Sequence, residues 1–350
     1  MSLFKKYLSD SETLFKNETA LDPNFTPKKI QFRESENEYI VTCIKPLFQN
    51  RYGKNLIIYG PPGIGKTLAC IKIKEELEET TDDILVFYIN LWKKNTQYKI
   101  ILELCAQLDY KFIQNKSADE LFQIIKSKIN QKSTVFILDE IDKADSLEIL
   151  YSLMEDIYKK TLILITNDKN FIYKLDPRLK SRLLPDNLEF KPYSQIEIQK
   201  ILKNRIELAF HVGVFPNNNL NIVTTKTYES ADIRKGLFLL RESGLIAESQ
   251  SLKQISSKHI EEALAKLETS NKPLNLDIDE KKIFKIISSN PDRTTQEIFN
   301  LYQKEGNKSE RTFQRKLKTL EKANLIELES MNIQGRHYKI KLRNSKSKDF

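Results

Sequence analysis

The first half of the chain alternates two patterns. Short continuous apolar or β-branched runs occupy 55–59, 84–90, 133–138 and 161–167. Between and before them lie stretches with helical spacing. One carries Tyr39, Ile40, Cys43, Ile44 and Leu47, and the others cover about 68–77, 96–108 and 117–130. Runs this short and unbroken predict strands buried on both faces, and their alternation with helices predicts a parallel sheet covered on both sides. Residues 1–26 are polar and irregular, with Pro23 and Pro27 near their end, and predict an extended N-terminal arm.

The pattern changes after Pro192-Tyr193. Ser194-Gln195-Ile196-Glu197 is a capping box, and 194–268 is helical throughout, broken at 213–219 and near Ala231. This predicts a small all-α unit. A polar stretch at 268–273 reads as a linker. Beyond it, Asp277 to Glu280 and Thr294 to Glu297 mark two more capped helices, and a third is predicted over 309–323. Its apolar positions Phe313, Leu317 and Leu320 fall on one face, and Arg311, Arg315, Lys318 and Lys322 fall on another. Residues 325–328 and 338–342 read as strands, with Gly335-Arg336 in the turn between them. Three helices and a two-stranded hairpin make a winged helix. The expected divisions are an arm at 1–26, an α/β domain at 27–192, an all-α lid at 193–270 and a winged-helix domain at 271–350.

Composition refines this picture in a few places. At 350 residues, with 40% hydrophobic and 30% charged positions, the chain fits a globular protein of two or three domains. The net charge is +9, and residues 308–343 hold ten Lys/Arg against four Glu. A basic excess concentrated in the winged helix points to an anionic polymer. Arg311, Thr312, Gln314, Arg315 and Lys318 on the third helix, with Arg336 in the wing, are the expected DNA contacts. Cys43, Cys70 and Cys105 are scattered and read as reduced thiols of an intracellular protein. The three histidines are far apart, so no zinc site is expected. The first ten residues lack an apolar leader, and no run approaches the ~18 apolar residues of a membrane span. A cytoplasmic protein with no membrane partner follows as the expectation.

The chemistry centres on Gly60-Pro61-Pro62-Gly63-Ile64-Gly65-Lys66-Thr67, which matches the phosphate-binding pattern G-x-x-x-x-G-K-[ST] between a strand and a helix that opens at Leu68. Three of the nine glycines fall in these eight residues, where backbone N–H groups must wrap around phosphates. Lys66 is expected at the β- and γ-phosphates and Thr67 on Mg²⁺. The strand at 133–138 runs into Asp139-Glu140. At that edge Asp139 is placed to hold Mg²⁺ through its water shell, and Glu140 to polarise the water that attacks the γ-phosphate. Asn167, ending the next strand, is placed to orient that water. Ile30, Phe32 and Arg33 precede the first strand and are expected to line the adenine, with Tyr193 and Arg205 completing the ATP/ADP contacts. Arg178 and Arg182 have no carboxylate at helical spacing, and either suits an arginine finger toward a neighbouring subunit. Arg234 stands at a helix start, where the dipole does not favour a cation, so it is expected to face the phosphates.

This ordered set resembles the AAA+ ATPases. More narrowly it resembles the archaeal Orc/Cdc-type replication initiators, through Phe32-Arg33-Glu34-Ser35-Glu36, Val135-Phe136-Ile137-Leu138-Asp139-Glu140-Ile141-Asp142, Phe190-Lys191-Pro192-Tyr193 and Ala231-Asp232-Ile233-Arg234-Lys235-Gly236-Leu237. The resemblance covers about 25–343. It implies binding to double-stranded origin DNA, assembly with other initiator copies, help in loading the replicative helicase, and a weak ATPase used as a switch. Arg234 matches the family's lid arginine. The family usually has Gly and Ala where this chain has Ala231 and Ile233, and a second Ser where it has Arg182. A branch-migration motor and a nucleotide-switched signalling ATPase with a protein-binding winged helix are the alternatives among related architectures.

Overall fold

The computed structural model describes residues 13–27, 30–270, 277–290, 293–304, 309–322, 325–330 and 338–342. The chain forms two compact units, 1–264 and 265–350.

In the first unit five parallel strands form one sheet: β1 (Leu56–Tyr59), β2 (Ile84–Asn90), β3 (Ser133–Asp139), β4 (Lys160–Thr166) and β5 (Asp186–Glu189), in the order β2-β3-β4-β1-β5. Their side chains alternate between two cores. Leu56, Ile58, Val135, Ile137, Ile163 and Ile165 enter one, and Ile57, Phe136, Leu138, Leu162 and Leu164 enter the other. That two-faced burial is why these runs are continuous rather than alternating. The predicted helices appear as α1 (Glu34–Ile44), α2 (Lys66–Thr80), α3 (Gln97–Gln107) and α4 (Ala118–Ile129). Three helices follow that the spacing did not single out: α5 (Glu148–Asp156), α6 (Phe171–Lys174) and α7 (Pro177–Leu183). Strand β5 was also not foreseen. Its sequence Asp-Asn-Leu-Glu is short and polar, because it forms a sheet edge and pairs on one side only.

The all-α part contains α8 (Gln195–Ala209), α9 (Asn217–Ser230), α10 (Ile233–Ser249) and α11 (Ser257–Ser270). The expected capping box at Ser194 and Glu197 starts α8. Residues 13–27 depart from the polar, extended arm expected of them. Leu14, Phe15, Ala20 and Leu21 are buried in the same core as the α8–α10 helices. Phe15 stacks on Phe210, and Lys16 and Asn17 donate backbone N–H groups to the Ala209 carbonyl. A few apolar side chains among polar neighbours bind the segment down, because burying Leu14, Phe15 and Leu21 contributes about 1.5–3 kcal/mol each.

The second unit contains α12 (Ile278–Ser289), α13 (Thr295–Lys304), α14 (Glu310–Lys322) and the antiparallel pair β6 (Ile326–Ser330) and β7 (Tyr338–Leu342). Both expected caps form, at Asp277/Glu280 and Thr294/Glu297. Phe313, Leu317 and Leu320 are fully buried, and Ile340 donates its N–H to the Arg293 carbonyl, which ties the hairpin to the helices. This is the winged-helix arrangement. Among the described residues no helix is long and apolar enough to cross a membrane. The three cysteines are buried and unpaired.

Candidate nucleotide site and nucleic-acid face

The loop from Gly60 to Gly65 leaves β1 at the strand's C-terminal end and turns into α2. Gly60, Gly63 and Gly65 all have positive φ. Two of them also have no room for a side chain. A Cβ on Gly60 would collide with the Phe190 carbonyl, and one on Gly63 would overlap the Asp232 carboxylate. The loop is therefore held from one side by the residues after β5 and from the other by the start of α10.

Arg33 braces the same loop. It is buried, donates to the carbonyls of Ile64 (3.3 Å) and Lys191 (2.6 Å), pairs with Glu36 and lies 4.0 Å over the Tyr193 ring. Of the other residues expected at the base, Ile30 is buried in the core and Phe32 adopts a left-handed backbone with φ of 60°. Arg205 is placed elsewhere. Its guanidinium donates to the carbonyls of Ala20 (3.0 Å) and Phe25 (3.2 Å) and stacks on Phe25, so it fastens the N-terminal segment to α8.

The charged centre is brought together by strand order. Because β4 lies between β1 and β3, the ends of all three strands face the start of α2. The Lys66 ammonium donates to the carbonyls of Gly60 (2.7 Å) and Pro61 (2.8 Å) and to Asn167 Oδ1 (2.7 Å). Asn167 Nδ2 in turn donates to Glu140 Oε2 (3.0 Å). One side chain thus ties the expected phosphate lysine to the expected general base. Glu140 sits at φ of 56°, a left-handed conformation uncommon for a residue with a side chain. The Thr67 hydroxyl donates to Asp139 Oδ2 (2.9 Å), and Tyr88 donates its phenol to the same oxygen (2.8 Å). The Glu140 N–H bonds to Asp139 Oδ1 (3.0 Å). Burial lowers the Lys66 pKa to about 8. Glu140 and Asp139 work against that shift, and Arg234 adds to it. Burial and the Asp139 charge push the Tyr88 phenol up, so it stays a donor.

Arg234 is exposed near the start of α10. Its N–H bonds to the Asp232 carboxylate (2.9 Å), and Ile233 donates its N–H to the Gly63 carbonyl (3.3 Å). The helix start therefore touches the phosphate loop directly, and the cation on it is close enough to act on Lys66. Ala231, immediately before, has φ of 51°, the conformation for which glycine is the usual choice. Arg178 and Arg182 are both exposed. Arg182 does have a carboxylate partner, Glu155, but it comes from α5 rather than from its own helix, which is why helical spacing did not find it.

The residues fit a nucleotide with Mg²⁺. Thr67 and Asp139 form an all-oxygen donor pair, which suits a hard cation that keeps most of its ligands as water and phosphate. Among the described residues no cluster of three or more His, Cys, Asp or Glu could hold a metal by itself.

In the second unit α14 exposes Arg311, Gln314, Arg315 and Lys318, with Thr312 half-buried, opposite its buried apolar face. Lys316, which points elsewhere on the helix, is tied to Asp277 and to Glu280 (3.0 Å). Arg336 lies outside the described residues.

Residues 49–167 match the family described as AAA domain, and residues 199–265 match the Cdc6 AAA+ ATPase-type lid domain. The ORC1-type DNA replication protein 1 of Methanosarcina mazei is 32% identical over 281 residues, 76% of this chain and 68% of that protein. The chain belongs to the ORC1-type DNA replication proteins. ORC1-type DNA replication protein 2 of Methanothermobacter thermautotrophicus is 28% identical over 345 residues, 91% of this chain and 89% of that protein. A solved structure of the Aeropyrum pernix ORC1 protein in complex with DNA shares the fold, with a TM-score of 0.73 at 22% identity over 94% of this chain and 93% of that one. The ORC1-type assignment accounts for the phosphate loop, the lid and the winged helix together.

Two features of the site were not legible beforehand. Tyr88 sits in a strand that reads only as hydrophobic. Its phenol meets Asp139 because β2 and β3 pair in the register Tyr88↔Ile137 and Asn90↔Asp139, which no local signal encodes. Asp232 belongs to a motif already singled out, but its contact with Gly63 appears only in three dimensions.

Proposed function

We propose that this chain is an ATP-dependent replication initiator that binds origin duplex DNA and helps load the replicative helicase, with nucleotide acting as a switch and hydrolysis slow. In this reading residues 27–192 bind nucleotide, 193–270 form the lid and 271–350 grip DNA. The observation that carries it is the split surface of α14. Its apolar residues fill the core of the second unit, while Arg311, Arg315 and Lys318 stay exposed. A helix whose cations were needed for folding would not leave them there. Membership of the ORC1-type proteins supports the same reading, as it does the assembly with other initiator copies and a cytoplasmic site of action.

At the nucleotide site Lys66 and the loop N–H groups hold phosphates, and Arg234 approaches from the lid. Thr67 and Asp139 would hold Mg²⁺, whose charge would offset the negative charge of the phosphates. Glu140, oriented by Asn167, takes the proton of the attacking water. Arg178 or Arg182 of a neighbouring copy serves as the finger, and breaking the Arg182–Glu155 surface pair for that purpose costs no more than about 1 kcal/mol.

Footprinting on genomic DNA with ATP and with ADP is the test. Discrete protected sites whose strength depends on the nucleotide support the proposal. The salt dependence should show log K falling with log salt at a slope near −5 if about six phosphates are neutralised. Salt-insensitive or absent duplex binding would sink it. For the hydrolytic assignment, Glu140→Ala should leave nucleotide binding within about twofold and lower turnover by about 100-fold or more. Normal turnover in that variant would remove Glu140 from the mechanism.

A further inference from the structure

We infer that Tyr88 is a positioning residue that holds Asp139 in its metal-binding orientation, and that Gln107 at the end of α3 holds Tyr88. The inference rests on the reading of Thr67 and Asp139 as the Mg²⁺ pair.

Asp139 is 2% exposed, and its two oxygens are already allotted. Oδ1 accepts the Glu140 N–H, and Oδ2 accepts both the Thr67 hydroxyl and the Tyr88 phenol. Thr67 is itself an expected metal ligand, so its hydrogen bond to Oδ2 is the one a cation would replace. The Tyr88 bond lies on the far strand and would remain. It is thus the contact that keeps the carboxylate from turning when Thr67 is drawn away. A hydrogen bond to an ionised acceptor is among the stronger and shorter ones, which suits it to that task.

Tyr88 lies on β2, one of the two edge strands, where among the described residues one side of the backbone has no neighbouring strand. The Gln107 carboxamide fills that side at this residue. Its Oε1 accepts the Tyr88 N–H (3.2 Å) and its Nε2 donates to the Tyr88 carbonyl (2.8 Å), while Nε2 also donates to Glu103 (3.1 Å). A side-chain amide thus replaces a strand at the point on the edge whose side chain reaches the site. A continuous set of contacts runs from the end of α3 to the metal carboxylate.

Removal of an outer hydrogen bond to a metal ligand commonly costs 10- to 100-fold in metal affinity. Mn²⁺ binding to the full chain saturated with ADP, read by electron paramagnetic resonance, should therefore weaken about tenfold in Tyr88→Phe. ADP affinity measured in EDTA should stay within about twofold, because the phenol does not touch the phosphate loop. Gln107→Ala should shift Mn²⁺ affinity in the same direction by less, and melting curves identify any variant that has lost its fold. Mn²⁺ binding by Tyr88→Phe equal to the parent's overturns the inference alone. Equal losses in Mn²⁺ affinity and in metal-free ADP affinity also overturn it, since they describe a general loosening. Failure of the parent protein to bind Mn²⁺ with ADP overturns the metal-site reading beneath it.

Discussion

Lys66 and Lys316 are both withdrawn from solvent, one in each compact unit, and their surroundings treat the charge in opposite ways. Lys66 is met at hydrogen-bond distance by neutral oxygens of Gly60, Pro61 and Asn167, and burial lowers its pKa to about 8. Lys316 is met by the carboxylates of Asp277 and Glu280, whose hydrogen bonds raise its pKa. The first is a cation left uncompensated at close range, suited to accept a phosphate. The second has its charge balanced inside the fold, so it fixes α14 against the start of α12. On the same helix Arg311, Arg315 and Lys318 face solvent. Basic character in the sequence therefore has three meanings here, and only the identity of the nearest partners separates them.

The largest test of that contrast is Lys66→Ala. Charge-assisted hydrogen bonds to phosphate contribute about 1.5–3 kcal/mol each, so ATP affinity measured by calorimetry should fall on the order of 100-fold or more. A loss of only a few-fold would mean that the loop and helix start carry the phosphates without it. Next comes charge reversal at Arg315 and Lys318. Two lost phosphate contacts should weaken duplex binding on the order of 10- to 100-fold near 0.1 M salt and make the salt slope shallower by about 2. Lys316→Met should leave the slope where it is. If all three variants changed the slope alike, the distinction between internal and outward cations on α14 would be wrong.

A smaller effect is expected from pH. Because burial lowers the folded pKa of Lys66 to about 8, the ammonium that phosphates require is fully present below that value and is lost above it. ATP affinity should be level up to about pH 8, then fall by about tenfold per unit with proton uptake on binding. A Lys66→Arg variant should bind without that decline, since guanidinium does not titrate in this range. The smallest effect concerns the backbone leading to Arg234. Ala231→Gly relieves a left-handed residue at a helix end and should raise stability by about 0.5–1 kcal/mol, read as a higher melting temperature, with ATP affinity unchanged. Lower stability would mean that the Ala231 methyl packs more favourably than its backbone geometry suggests.

Elements whose cause is local were legible in the residue pattern alone. Continuous apolar runs gave β1 to β4, capping boxes at Ser194, Asp277 and Thr294 gave three helix starts, and glycine spacing located the phosphate loop. The heptad-like split of α14 into Phe313, Leu317 and Leu320 against its cations was equally plain, because a helix repeats every 3.6 residues whatever surrounds it. The strand-end residues were expected at one edge, but the individual contacts set by which strands lie side by side were out of reach. Strand order brings Asn167 between Lys66 and Glu140, and register brings Tyr88 to Asp139. Packing drew Leu14 and Phe15 into a core that their polar neighbours concealed. Long-range partners likewise moved Arg205 to the N-terminal segment and gave Arg182 its Glu155. Local periodicity records which face a residue presents, but not what stands opposite it, and the chemistry of this site consists of what stands opposite.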